Sequence, residues 1–125
     1  SEIEIYRSSF KDSKEGIFKN WPTNFSLNGW VVKMKSGGSL DSHIHENGWI
    51  SGSIYINVPT NLNGDSGNLV LCVDDSQYGS EETSKSLSVT TGTICLFPSS
   101  LHHYTIPFES EEDRIVLAFD LVPDN

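Results

Sequence analysis

Short apolar runs separated by turn-forming residues dominate the pattern along this chain. Residues 30–35 alternate between apolar and polar side chains and stop at Ser36-Gly37-Gly38. Extended runs of similar character are predicted at 40–45, 49–58, 68–73, 87–89, 93–97, 104–106 and 114–122. About eight short, regularly spaced strands are typical of a sandwich, jelly roll or barrel. Only Lys11 to Lys19 looks helical, so the pattern predicts an all-β fold.

The length of 125 residues fits one compact domain over residues 1–125, with residues 1–28 as an N-terminal flanking segment. A polar loop with two glycines is expected at 61–67, and an acidic, serine-rich loop is expected from Asp74 to about Lys85. No internal repeat or low-complexity tract interrupts the pattern.

Charge and cysteine placement narrow the possible partners and location. The net charge of -9 argues against nucleic acid and anionic membranes as partners. The apolar runs are too short to span a bilayer, and no secretory leader is expected. Cys72 and Cys95 both lie inside apolar runs, which favours buried free thiols over a disulfide. Free thiols fit a reducing compartment, so we expect a cytoplasmic protein.

All four histidines fall into two clusters, His43 with His45 and His102 with His103. Neutral imidazole is the commonest protein ligand of divalent transition metals. On a strand, His43 and His45 would point to the same face, and a histidine from a distant strand could complete a facial set of three ligands. A lone His-x-His pair on a surface edge strand is the alternative, and the second cluster favours the metal site.

Arg114 stands in an otherwise apolar strand. It could be a solvated cation at a strand end, paired with Asp113, Glu111 or Glu112. It could instead bind a carboxylate inside the barrel through its planar fork of donors. A metal with open positions together with such an arginine would suit a dicarboxylate co-substrate.

Three ordered segments, residues 42–55, 96–103 and 113–123, resemble a bacterial and phage family of 2-oxoglutarate- and Fe(II)-dependent oxygenases. The resemblance covers the chain from about Trp30 to its end. Members of that family occur alone or behind tetratricopeptide repeats. The resemblance implies a double-stranded β-helix, which is a cupin-like jelly roll, with Fe(II) as cofactor and 2-oxoglutarate and O2 as co-substrates.

The resemblance also implies roles for individual residues. His43, His45 and His103 match the catalytic metal ligands, and His102 is then a neighbour that points to the opposite face. Tyr55 resembles the tyrosine of the related prolyl-hydroxylase motif, whose hydroxyl binds the distal carboxylate of 2-oxoglutarate; an ordinary core aromatic is the alternative. Arg114 matches the arginine that anchors the same carboxylate.

This sequence departs from the family pattern at three positions. His45 stands where most such oxygenases have a carboxylate, although Glu46 could supply one. Val116 replaces a frequent serine, which removes one hydrogen bond to the co-substrate, and Glu46 replaces a frequent proline.

The predicted function is therefore a dioxygenase that hydroxylates an unknown substrate and releases succinate and CO2. Two alternatives stay open: a cupin-type dioxygenase with three histidines that does not use 2-oxoglutarate, and a non-catalytic jelly-roll module that binds a metal or a ligand.

Overall fold

A computed structural model describes residues 1–73 and 83–124 of the chain. Within these residues, two short N-terminal helices come before seven strands. The helices are α1 (Glu2–Ser9) and α2 (Gly16–Lys19); the strands are β1 (Phe25–Met34), β2 (Ile50–Asn57), β3 (Leu69–Cys72), β4 (Ser84–Leu87), β5 (Ile94–Pro98), β6 (His102–Thr105) and β7 (Arg114–Pro123).

The strands form two antiparallel sheets, one of four strands in the order β1-β7-β2-β5 and one of three in the order β4-β3-β6. Residues of both sheets line one shared cavity. The all-β, jelly-roll prediction is confirmed. Strand β7 lies at the centre of the large sheet, where it pairs with β1 along its whole length and with β2.

Alternation along the central strands separates an inner face from an outer one. Val116 and its partner Tyr55 point inward, where both are buried against Val58. Leu121 and Ile50 point outward and are fully buried beside Trp21. Side chains of α1 and α2 cover this outer cluster, so the N-terminal helices close one end of the outer face of the sheet.

The predicted strand at 40–45 is wrong as a continuous strand, because only His43 forms a β-bridge, and its partner is His103. Leu40 contacts the same strand, but its N–H donates to the side-chain Oγ1 of Thr105 at 2.7 Å. The N–H of His45 then donates to Ser99, outside β6. The segment therefore follows β6 without forming a regular ladder, and the described residues contain seven strands, not eight.

The helical prediction at Lys11 to Lys19 is correct only for its last four residues. The Ser13 hydroxyl accepts a hydrogen bond from the N–H of Glu15, a local pairing that competes with helix formation. Helix α1, which the sequence pattern did not predict, begins after Ser1, whose side chain accepts a hydrogen bond from the N–H of Glu4.

Neither cysteine forms a disulfide, as predicted; Cys72 is buried and Cys95 is half-buried. Most of the predicted acidic loop, residues 74–82, lies outside the described residues. Among the residues that the structure describes, no helix is long and apolar enough to cross a membrane.

Candidate metal centre

Three of the four histidines meet at one edge of the cavity. His103 lies on β6 and is 7% exposed. A two-way backbone bridge of 3.0 and 3.1 Å holds His43 opposite His103, and the N–H of His45 donates to the carbonyl of Ser99 at 3.2 Å. One nitrogen from each of His43, His45 and His103 lies within 4.8 Å of the other two. His102, the next residue along β6, is not part of this cluster.

The hydrogen bonds of these rings determine where their protons lie. The Nδ1 of His43 is 2.7 Å from the carbonyl oxygen of Asp41, and that of His103 is 3.3 Å from the carbonyl oxygen of Leu101. Because a carbonyl oxygen can only accept, each Nδ1 donates its proton to that carbonyl, and each Nε2 is the nitrogen that faces a metal.

Geometry and charge both suit a divalent transition metal. The Nε2 atoms of His43 and His45 are 3.1 Å apart. Two nitrogens bound to one metal at about 2.1 Å and at right angles would be about 3 Å apart. Burial, followed by the nearby charge of His43, lowers the pKa of His103 to about 4, so this imidazole is neutral at neutral pH. A neutral imidazole is the form that binds a metal.

Aromatic side chains fix two of the rings. Trp30 packs against His45 with ring centroids 5.5 Å apart, and Phe97 packs against His103 at 4.9 Å. Trp30 is 40% exposed and also lines the cavity, so it contacts both the histidine cluster and solvent.

A carboxylate does approach the cluster, but it is not Glu46, the carboxylate considered from the sequence. Glu46 is exposed and does not belong to the histidine cluster. The carboxylate of Asp120 instead lies 2.7 and 2.8 Å from the Nδ1 of His45 and accepts a 2.6 Å hydrogen bond from the hydroxyl of Ser51. Sequence reasoning missed Asp120, although it has the same strand parity as Arg114 and therefore faces inward.

Arg114 lies at the opposite end of the inward face of β7 and is 3% exposed. The alternative of a solvated cation paired with Asp113, Glu111 or Glu112 is wrong, because the side chain is buried. Asp113 instead contacts Lys33 at 3.3 Å and Lys35 at 4.0 Å. The guanidinium carbon of Arg114 lies 5.4 Å from the centre of the Tyr55 ring.

Arg114 and Tyr55 are held in a poorly solvated environment. Among the described residues, neither the Nε of Arg114 nor the hydroxyl of Tyr55 has a hydrogen-bond partner of standard geometry. Burial lowers the pKa of Arg114, and the nearby Tyr55 partly offsets this effect by favouring the charged guanidinium. Burial raises the pKa of Tyr55 to about 12, despite the nearby positive charge of Arg114. A buried cation and a buried hydroxyl whose hydrogen bonds are incompletely satisfied are suited to an anionic ligand.

The histidine cluster, Tyr55 and Arg114 all line the same cavity between the two sheets. The remaining lining is mostly apolar and includes Val32, Leu69 and Phe97. Such a cavity, with few polar groups at defined places, is typical of a site for a small molecule.

Comparison with solved structures shows the same fold in oxygenases. An oxidoreductase of the 2OG-Fe(II) oxygenase family from Burkholderia pseudomallei superposes with a TM-score of 0.66 at 11% identity, over 98% of this chain and 56% of the other. A prolyl-4-hydroxylase from Pseudomonas putida gives 0.63 at 13% identity, over 98% and 63%. HygX from Streptomyces hygroscopicus, solved with nickel and 2-oxoglutarate bound, gives 0.59 at 14%, over 84% and 59%.

This chain therefore spans less than two thirds of the length of these similar structures. At such low identity the likeness shows the fold alone. No curated protein matches the sequence. The sequence profile described as "Putative 2OG-Fe(II) oxygenase" matches residues 28–120, which is more than half of the chain. The chain belongs to this family of 2OG-Fe(II) oxygenases.

Proposed function

We propose that this protein is a dioxygenase that depends on Fe(II) and 2-oxoglutarate and hydroxylates a substrate still to be identified. One observation carries the proposal: three histidines whose ring nitrogens converge within 4.8 Å and a buried arginine line the same cavity. Family membership supports it, because the family uses this metal and this co-substrate. When bound, the metal supplies the redox chemistry that couples decarboxylation of 2-oxoglutarate to succinate and CO2 with oxidation of the substrate by O2.

In this proposal His43, His45 and His103 hold the metal through Nε2. Three protein ligands leave the remaining coordination positions open to small molecules. The β-bridge between His43 and His103 holds the backbones of two of the three ligands side by side. The protein would therefore present a facial set of nitrogens, and the cavity would direct the open positions toward its interior.

Arg114 and Tyr55 would bind the distal carboxylate of 2-oxoglutarate. The guanidinium can donate two parallel hydrogen bonds to a carboxylate. With its pKa at about 12, the Tyr55 hydroxyl stays protonated at neutral pH and can donate a further one. Val116, which faces the cavity where the family often has serine, donates none. The apolar walls exclude water, which strengthens these charged contacts.

The presence of three neutral ligands favours one second candidate, a cupin-type dioxygenase in which the substrate chelates the metal and 2-oxoglutarate is not used. Arg114 would then bind a carboxylate of the substrate itself. Calorimetric titration of the metal-loaded protein distinguishes the two. The first candidate predicts binding of 2-oxoglutarate, and the second predicts binding of small thiols or amino acids in its place.

Succinate formation tests the proposal directly. The purified protein, supplied with Fe(II), 2-oxoglutarate and O2, should form succinate slowly even without a primary substrate. His43→Ala should abolish this turnover. His102→Ala is the matched control, because His102 is a neighbouring histidine outside the cluster, and it should retain turnover. Absence of succinate from the metal-loaded wild type, or equal loss in both variants, would contradict the proposal.

A further inference from the structure

We propose that Asp120 is a positioning residue for the metal site, holding His45 as a ligand and supplying, from behind its ring, the negative charge that a carboxylate ligand would bring. The proposal rests on the proposed function, since it requires that the three histidines bind a metal. It accounts for a histidine at position 45, where a carboxylate is expected, and gives a role to a residue that the sequence did not single out.

The first observation is the direction of the His45 ring. Its Nε2 faces the Nε2 of His43 at 3.1 Å, and its Nδ1 faces both oxygens of Asp120 at 2.7 and 2.8 Å. The two nitrogens lie on opposite sides of the ring. The imidazole of His45 therefore separates Asp120 from the other two histidines. The carboxylate would not bind the metal itself, but would act on it through the ring of His45.

The second observation is the difference between the three rings. The Nδ1 atoms of His43 and His103 face neutral backbone carbonyls, whereas that of His45 faces a carboxylate. A carboxylate behind a metal-binding histidine fixes the ring orientation and raises the basicity of the ligand. His45 should thus be the strongest electron donor of the three, which offsets part of the charge of a divalent ion.

The third observation is that Asp120 is itself held in place. Its side chain is only 13% exposed, and it lies directly opposite Ser51 in the pairing of β7 with β2. The single hydroxyl proton of Ser51 goes to Asp120 at 2.6 Å. Ser51 must then accept the 2.8 Å hydrogen bond that it shares with Ser99.

These contacts form a closed hydrogen-bond network. The carbonyl of Ser99 accepts from the N–H of His45, and the hydroxyl of Ser99 leads through Ser51 and Asp120 back to the ring of His45. Ser51 and Ser99 are buried, at 2% and 0% exposure. A closed and buried network of this kind fixes both the backbone and the side chain of His45.

The test measures metal affinity without turnover. Co(II) is titrated into wild-type protein, Asp120→Asn and Asp124→Asn in the absence of 2-oxoglutarate. Asp120→Asn keeps the shape of the side chain and removes its charge, and it should raise the Kd for Co(II) by about 10- to 100-fold. Asp124→Asn is the matched control, because Asp124 follows the same strand but accepts a hydrogen bond from Ser26, far from the cluster. Its Kd should equal that of the wild type.

A second readout separates positioning from a general structural effect. Proton NMR of the Co(II)-loaded protein should show three shifted, exchangeable Nδ1–H signals, one from each ligand. In Asp120→Asn the signal of His45 alone should move or exchange faster with solvent. Ser51→Ala, which removes only one donor to Asp120, should raise the Kd about twofold to tenfold and provides a test if Asp120→Asn does not fold.

An unchanged Kd in Asp120→Asn and Ser51→Ala would overturn the proposal. So would equal weakening by Asp120→Asn and Asp124→Asn, or a change in all three Nδ1–H signals. Failure of wild-type protein to bind any divalent metal would instead remove the proposed function, and the two failures are therefore distinguishable.

Discussion

For the single residue Arg114, the free-energy cost of burying an incompletely paired guanidinium indicates a binding function. A guanidinium that is 3% exposed loses most of its hydration, and its Nε has no hydrogen-bond partner among the described residues. Buried charges are normally paired. The cost of leaving Arg114 incompletely paired is explained if an anionic ligand completes its hydrogen bonds.

Replacement of Arg114 should separate stability from binding. Arg114→Met keeps a long side chain but removes the buried charge, so the free energy of unfolding of the apoprotein should rise by about 1 kcal/mol. Affinity for 2-oxoglutarate in the metal-loaded protein should fall at least about 30-fold, because a buried carboxylate would lose its charged partner. Urea unfolding and calorimetry measure the two effects. A large loss of apoprotein stability with unchanged co-substrate affinity would show that Arg114 is a structural residue.

At the level of secondary-structure elements, the two faces of the large sheet differ in role: one lines the candidate site and the other packs the core. The inner face carries the candidate site, whereas the outer face packs side chains between strands and against the N-terminal helices. Gly52 shows this on β2: a Cβ at this position would overlap the ring of Phe119, its partner on β7. Glycine is required here because an aromatic ring crosses the strand.

Gly52→Ala should therefore lower the free energy of unfolding by about 1–3 kcal/mol, because it overpacks the outer face. In the presence of Phe119→Ala, which removes the ring, the same substitution should have almost no effect. A double-mutant cycle by urea unfolding gives the coupling energy, and additive effects of the two substitutions would contradict the contact. Metal affinity should stay unchanged throughout, because a Cβ added at Gly52 would point toward Phe119 on the outer face.

The segment at 40–45 shows which parts of the elements a sequence can predict. Its alternation correctly places it beside a strand, and His43 does pair with His103. The regular ladder is missing because the N–H of Leu40 donates to a side chain of β6 and the N–H of His45 donates to Ser99. These partners lie more than fifty residues away, so periodicity within the segment carries no information about them.

At the scale of the molecule, the sequence predicted the jelly roll and the convergence of three histidines, because alternation and clustering are local signals. It did not predict the contacts of Asp120 with His45 and Ser51, because they depend on the register between β2 and β7 and on the course of the loop before β2. The cytoplasmic location and the extent of the domain stay predictions.

We propose that the two sheets together enclose one site, in which a metal binds the histidines and a dicarboxylate lies between that metal and Arg114. The histidines lie on β6 and on the segment that runs beside it, whereas Arg114 and Tyr55 lie in the large sheet. Binding of the co-substrate should therefore depend on residues of both sheets and on the metal itself.

Anaerobic calorimetric titration of 2-oxoglutarate tests this claim most directly. The metal-loaded protein should bind one equivalent, and binding should be lost without metal and in His43→Ala. A matched titration with succinate, which keeps a distal carboxylate but lacks the keto group that chelates the metal, should show much weaker binding. Metal-loaded protein that binds no 2-oxoglutarate, or that binds it equally well with and without metal, would contradict the account.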